Sequence, residues 1–349
     1  MKCLIPYLLW SLFLISAGRV IARPNVPRDV ESFAEKLIPQ KRILNLMDEG
    51  WRVWGCAPMY GPEGKVHVFF ARWPNKEEGF SEHQWAAEGQ IVHAIADHPL
   101  GPYKVLDIVI EGRGGDCWDA TGVINPQIHK IDGKYVLLYT GARDGDIATQ
   151  GVGMLTAPSL YGPWKKISDK KALVETSDDP NAFDSMMCNN PALIKTPDGR
   201  YFMYYKGRSM ADLEKGKAKR RIGLAIADQL EGPYVKYKGN PVYNPSPKNC
   251  EDPYVWFEEG TFKMLMADKT VIERHAGIYL ESFDGIHWSD PVKGYPSPMT
   301  LCGKKQRLET PMLLMKDGHP EYLFCNRGEA NDDPVYSGFV FKVERAGGQ

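Results

Sequence analysis

Asn125-Pro126-Gln127-Ile128 is followed by the turn pair Asp132-Gly133 and then by Tyr135-Val136-Leu137-Leu138-Tyr139. A strand that begins on proline, a turn carrying glycine and an apolar or alternating return strand together describe a β-hairpin. The same unit occurs four more times. Ala57-Pro58-Met59-Tyr60 leads to Gly64 and residues 66–70, and Asn190-Pro191-Ala192-Leu193 leads to Asp198-Gly199 and residues 201–205. Asp252-Pro253-Tyr254-Val255 leads to Gly260 and residues 262–266, and Thr310-Pro311-Met312-Leu313 leads to Asp317-Gly318 and residues 322–324. The five prolines lie 68, 65, 62 and 58 residues apart. Proline at the start of a strand removes an N–H from the end of the ladder, where no central bond is lost.

A second strand pair recurs with the same period. Residues 94–103, 155–164 and 224–234 each end on Gly-Pro followed by Tyr or Trp, and residues 279–288 keep that shape with the sequence changed. Four strands per unit and five units predict an all-β, five-bladed β-propeller over residues 51–349. Ahead of it, residues 23–50 form an extension in which Val30 to Met47 has helical spacing with Asp29 as its cap, which predicts a short N-terminal helix.

The chain begins with Lys2 and an apolar run from Leu4 to Ala17, the length of a signal-peptide core and short of a membrane span. Val20 and Ala22 supply small residues for cleavage after Ala22, so residues 1–22 read as a leader. The expected product is exported and soluble, periplasmic or extracellular, with no membrane insertion. Six cysteines would remain, too few for a disulfide-built scaffold. A formal net charge of −1 argues against nucleic-acid binding. The basic run Lys215 to Arg221 reads as a solvated hairpin tip or as a contact for an anionic ligand. With no Cys-x-x-Cys pair and no His-Glu-x-x-His run, neither a metal nor another cofactor is expected.

The proline-led first strands, the Gly-Pro-aromatic turns and Glu251-Asp252-Pro253 in the fourth repeat resemble the five-bladed propeller glycoside hydrolases, nearest to family 43 and related to families 32 and 117. The likeness covers nearly the whole chain after the leader. It implies that the first strands line a central funnel and that the family 43 general acid falls on Glu251. It also places that family's base on Ala57 and its acid-tuning aspartate on Asn190. Relocated carboxylates, or a sugar-binding propeller without catalysis, would account for the difference.

Relocation has candidates in the sequence itself. Asp119 and Asp184 each stand seven residues before their repeat's proline, and Glu309 holds in the fifth repeat the offset that Glu251 holds in the fourth. Glycoside hydrolysis needs two carboxyl groups, an acid at the leaving oxygen and a base or nucleophile across the sugar. Glu251, Asp184, Asp119 and Glu309 are therefore the candidate catalytic residues. Confinement ahead of an apolar strand is expected to raise the Glu251 carboxyl. Asp252, which strict alternation turns to the other face, is a helper.

Trp54, Trp85 and Trp118 could stack on sugar rings, or equally pack the core. His83 lies in the long first-repeat insertion, while Arg143, Lys206, Arg208, Arg307 and Arg327 stand near the ends of inward-facing strands. Arginine forks match carboxylate or sulfate groups, so an anionic or modified sugar fits; ion pairing to the funnel carboxylates is the competing role. The expected activity is exo-acting hydrolysis that removes a terminal sugar from an oligosaccharide or polysaccharide fragment. A noncatalytic carbohydrate-binding propeller is the alternative.

Overall fold

The computed structural model describes residues 25–76, 82–217, 219–328 and 336–345; the proposed leader lies outside them. Five four-stranded antiparallel sheets are arranged as the blades of a propeller. Their innermost strands are Trp51–Tyr60, Val123–Ile131, Met187–Lys195, Cys250–Glu258 and Arg307–Lys316. Neighbouring inner strands touch around the ring. The two-residue hairpins at Asp132-Gly133 and Asp317-Gly318 have positive φ at both positions, as a tight turn matched to strand twist requires.

The prolines sit inside the inner strands, not at their starts. In every blade the ladder to the second strand breaks near its inner end, between Trp54 and Ala57, Ile124 and Gln127, Asn189 and Ala192, Glu251 and Tyr254, and Glu309 and Met312, and blade five shifts again between Leu314 and Met315. Each inner-end break is a β-bulge whose first residue is left-handed: Gly55 at φ 65°, Asn125 at 51°, Asn190 at 50°, Asp252 at 59° and Thr310 at 50°. In four blades proline follows at the interruption, where its missing N–H leaves no ladder bond unmade. Blade one differs. Its bulge falls on Gly55-Cys56, and Pro58 lies in regular ladder opposite Val68. A Cβ on Gly55 would stand 3.0 Å from Pro126 Cδ of the next blade, so glycine meets both the dihedral and the close approach.

The predicted N-terminal helix is a strand. After a single 3-10 turn at Phe33–Lys36, residues Leu37–Ile43 pair antiparallel with Ser337–Val343 as the outermost strand of blade five. The ring is thus closed by the two ends of the chain. Phe33 and Ile43 are buried, with Phe33 against Trp256 and Tyr279 of blade four. Helical spacing in residues 30–47 gives way to an edge of unpaired backbone some three hundred residues away, which only the folded ring presents. Among the described residues no helix is long and apolar enough to cross a membrane.

Candidate active site

The bulges fix what faces the axis. A bulge sets two successive side chains toward one side of a strand instead of alternating them, and so Glu251 and Asp252 both reach the central cleft, correcting the expectation that Asp252 turns away. The cleft, with a cavity volume of about 140 Å³, takes residues from all five blades. Bulge positions contribute Trp54, Ile124, Asn125, Asn189, Asn190, Glu251, Asp252 and Glu309; Met187 and Arg307 lie one turn of the strand before theirs. Second strands contribute Lys206, which faces Asn189 across the ladder, and Arg208 two residues further on. Trp73 and Lys269 hold the place of Arg208 in blades one and four. The helix Glu82–Glu88 brings Trp85, the turn Ile147–Thr149 brings Ile147, and Arg220 and Tyr336 complete the wall.

Glu251, Asp252 and Glu309 are all buried, and one oxygen from each lies within 4.8 Å of the others. Their partners differ sharply. Glu251 Oε2 is met by Lys206 Nζ at 2.8 Å and Arg220 Nε at 3.1 Å, and its Oε1 by Lys269 Nζ at 2.6 Å. Burial pushes this carboxyl up, but the charges of Lys206, Lys269 and Arg220 outweigh it and hold Glu251 well below the ordinary range. The expected rise is therefore reversed. Lys269 also pairs with Glu309, whose other oxygen is 4.0 Å from Arg307. Burial alone would lower Lys269, yet Glu251, Glu309 and Asp252 keep its ammonium above its usual value.

Asp252 meets neutral donors, Asn190 Nδ2 and the backbone N–H of Thr310 at 3.1 Å. Burial and then the negative charges of Glu251 and Glu309 push it up to about 7, against the opposing pull of Lys206 and Lys269. Across the cleft the Arg307 guanidinium lies over the Trp54 ring, 5.4 Å from its centroid.

Of the sequence-predicted residues, the cleft gathers Glu251, Glu309, Asp252, Trp54, Trp85, Lys206, Arg208 and Arg307. The other six do not line it. Asp119 accepts from Tyr139 Oη at 2.8 Å and pairs with Lys166 and with Arg113 at 3.1 Å. Asp184 repeats that arrangement one blade on, with Tyr205 Oη at 2.8 Å and Lys236 at 2.6 Å. In both, a lysine from the outermost strand is tied to an aspartate ahead of the inner strand and a tyrosine of the second strand. The matching offset that suggested catalysis marks a repeated internal brace. Trp118 is buried against Tyr139 and donates Nε1–H to Ser168 at 3.2 Å. Arg327 is buried and bonded to Gln306, while Arg143 and His83 are exposed.

Lys269, Trp73, Tyr336, Asn189 and Arg220 are among the site residues the sequence reading missed. The signal for Trp73 and Lys269 is their register with Arg208, and for Trp73 it becomes visible only when blade one is aligned on its bulge and not on its proline. Aligned that way, the blade-one counterpart of Asp252 is Gly55, and Ala57 is not the position to compare. Arg220 belongs to the basic run read as a solvated tip, and its Nε instead reaches Glu251. The cysteines Cys56, Cys117, Cys188, Cys250, Cys302 and Cys325 are free thiols.

No family model matches the chain. It is 28% identical over 163 residues to an extracellular endo-α-(1→5)-L-arabinanase of Thermotoga petrophila, 40% of this chain and 31% of the relative. It is 26% identical over 230 residues to a probable arabinan endo-1,5-α-L-arabinosidase C of Aspergillus flavus, 62% of this chain and 61% of the relative. These alignments span about a third and about three fifths of the curated relatives. Among solved structures, a family 117 glycoside hydrolase produced by the marine bacterium Zobellia galactanivorans superposes with a TM-score of 0.66 at 18% identity, covering 88% of this chain and 89% of that one. An endo-arabinase from Bacteroides thetaiotaomicron gives 0.59 at 13% identity over 89% and 100%. The chain thus has the five-bladed propeller seen in family 43 and family 117 glycoside hydrolases, and its sequence homologues and structural neighbours are glycoside hydrolases.

Proposed function

We propose that the protein is an exported glycoside hydrolase that removes a terminal sugar from a polysaccharide-derived oligosaccharide, using carboxyl groups of the axial cleft. The observation that carries this reading is the convergence of Glu251, Asp252 and Glu309 from two blades in a cleft walled by Trp54, Trp73 and Trp85. Carboxyls in close proximity in a buried site are driven to different protonation states, which supplies an acid and a base at one pH. Indole faces offer a stacking surface for a sugar ring. A funnel on the propeller axis suits a chain end better than a chain middle, and the leader at residues 1–22 suits work outside the cytoplasm.

Among the described residues, five cations and three carboxylates line the cleft. This balance favours a sugar bearing a carboxylate or sulfate. Incubation of the purified protein with a panel of neutral, uronic-acid-terminated and sulfated oligosaccharides, with released monosaccharide identified, tests the proposal. Release of one terminal sugar, fastest from an anionic oligosaccharide, is expected. Retention of oligosaccharide without release would favour the noncatalytic reading, and preference for neutral chain ends would remove the anionic assignment.

A further inference from the structure

Resting on that reading of the cleft, we propose that Asp252, the neighbour of the expected acid Glu251, delivers the proton to the leaving oxygen. A general acid must hold a proton while the substrate is bound. Glu251 is poorly placed to do so, because Lys206, Arg220 and Lys269 all contact its carboxylate. Protonating it would leave three cations around a neutral group. Asp252 shares the same crowded space with Glu251 and Glu309, and its hydrogen-bond donors are an amide side chain and a backbone N–H, neither of them charged. When three carboxyls are confined together, the one without cationic partners keeps its proton.

The surroundings accommodate the protonated form. Asn190 Nδ2 faces Asp252 Oδ1, while Asn190 Oδ1 is buried with no hydrogen-bond partner among the described residues. A half-turn of that amide presents its oxygen to Asp252, where it accepts the carboxyl proton and ends its own unsatisfied state. The same side chain therefore serves the acid before proton transfer, as acceptor, and the carboxylate after it, as donor. The rise of the Asp252 carboxyl to about 7, through burial and the charge of Glu251, agrees with this.

In the step itself the bond between the anomeric carbon and the leaving oxygen breaks, its electron pair stays on that oxygen, and the Asp252 proton joins it. A Glu309 carboxylate oxygen, close to Asp252 as the nucleophile of such a pair must be, forms the new bond to the anomeric carbon; a water oxygen then displaces it, and the Asp252 carboxylate takes the proton that water loses. Glu309 suits this because it has fewer cations in contact than Glu251. The sum is one glycoside and one water giving two hydroxyl compounds.

The test compares kcat/KM against pH for the natural oligosaccharide and for a 2,4-dinitrophenyl glycoside of the same sugar, whose leaving group departs without a proton. Wild type is expected to lose activity on the oligosaccharide as pH rises through about 7, the range in which Asp252 ionises, and to show no such limb on the dinitrophenyl glycoside. Asp252→Asn keeps the volume and a residue at ease in the left-handed region. It should slow oligosaccharide cleavage by about 10²–10⁴-fold, spare the dinitrophenyl glycoside to within about tenfold and abolish the alkaline limb. Glu251→Gln, which removes the charge that holds the Asp252 proton, should move the limb to lower pH and slow both substrates alike. A loss confined to the oligosaccharide in Glu251→Gln, or near-wild-type cleavage by Asp252→Asn, overturns the proposal while leaving the hydrolase reading intact. Absence of turnover by wild type on any sugar removes both.

Discussion

Glu251→Gln is expected to destabilise the protein by about 3–5 kcal/mol, the cost typical of removing one partner from a buried ion network. The carboxylate is shared by Lys206, Lys269 and Arg220, and the side chains of both lysines are nearly buried. Glutamine fills the same space and offers an oxygen to one of them. It cannot neutralise three charges, although Lys269 keeps Glu309 as an ion-pair partner. Repulsion between the remaining cations then opens the site where the second strands of blades three and four meet the axis. Urea unfolding of wild type and Glu251→Gln measures the difference directly. A change below about 1 kcal/mol, the scale of an exposed pair, would mean that the network is solvated and that Glu251 is not its centre.

Deleting the chain through Ile43 is expected to abolish cooperative folding. The deletion removes a seven-residue strand, exposes the ladder edge of Ser337–Val343 and withdraws Phe33 from Trp256 and Tyr279. Two buried large side chains, Phe33 and Ile43, account for about 3–6 kcal/mol of apolar burial, before the lost backbone pairing is counted. That alone approaches the 5–15 kcal/mol by which domains are ordinarily stable. A truncated protein with an unchanged melting temperature would show that the ring does not depend on closure by its N-terminal strand.

Those two regions differ in how much of them the sequence discloses. The period of the blades is legible because each hairpin is local: Asp132-Gly133 or Asp317-Gly318 sets a turn whatever the rest of the chain does. Closure by residues 37–43 is illegible for the opposite reason. Its partner strand begins at Ser337, and the segment Leu-Ile-Pro-Gln-Lys-Arg-Ile lacks the alternation of a half-buried strand, so that its state is decided by the edge it completes. Bulges fall between these cases. Four of them carry a proline and can be found, while the one in blade one carries Gly55-Cys56 with a decoy proline two residues on.

The site inherits this unevenness. Glu251 and Glu309 share an offset from a bulge proline and are found by it. Asp119 and Asp184 share an offset too, but one that places them in braces beside Tyr139 and Tyr205, since position along the chain does not say on which side of the strand a lead-in residue lies. Lys269 has no motif of its own. It is recognised only through the carboxylates it bridges, and those come from different blades. The ionisation of Glu251 is likewise a property of its assembled neighbours.

The central claim is that the cleft cleaves a glycosidic bond with Glu309 as the nucleophile, and the rate of terminal-sugar release by Glu309→Gln tests it most directly. On the oligosaccharide that wild type prefers, the account predicts a fall in kcat of at least about 10²-fold, since no nucleophile remains to form the covalent intermediate, with oligosaccharide affinity changed little. Release at the wild-type rate by a folded Glu309→Gln protein would contradict it.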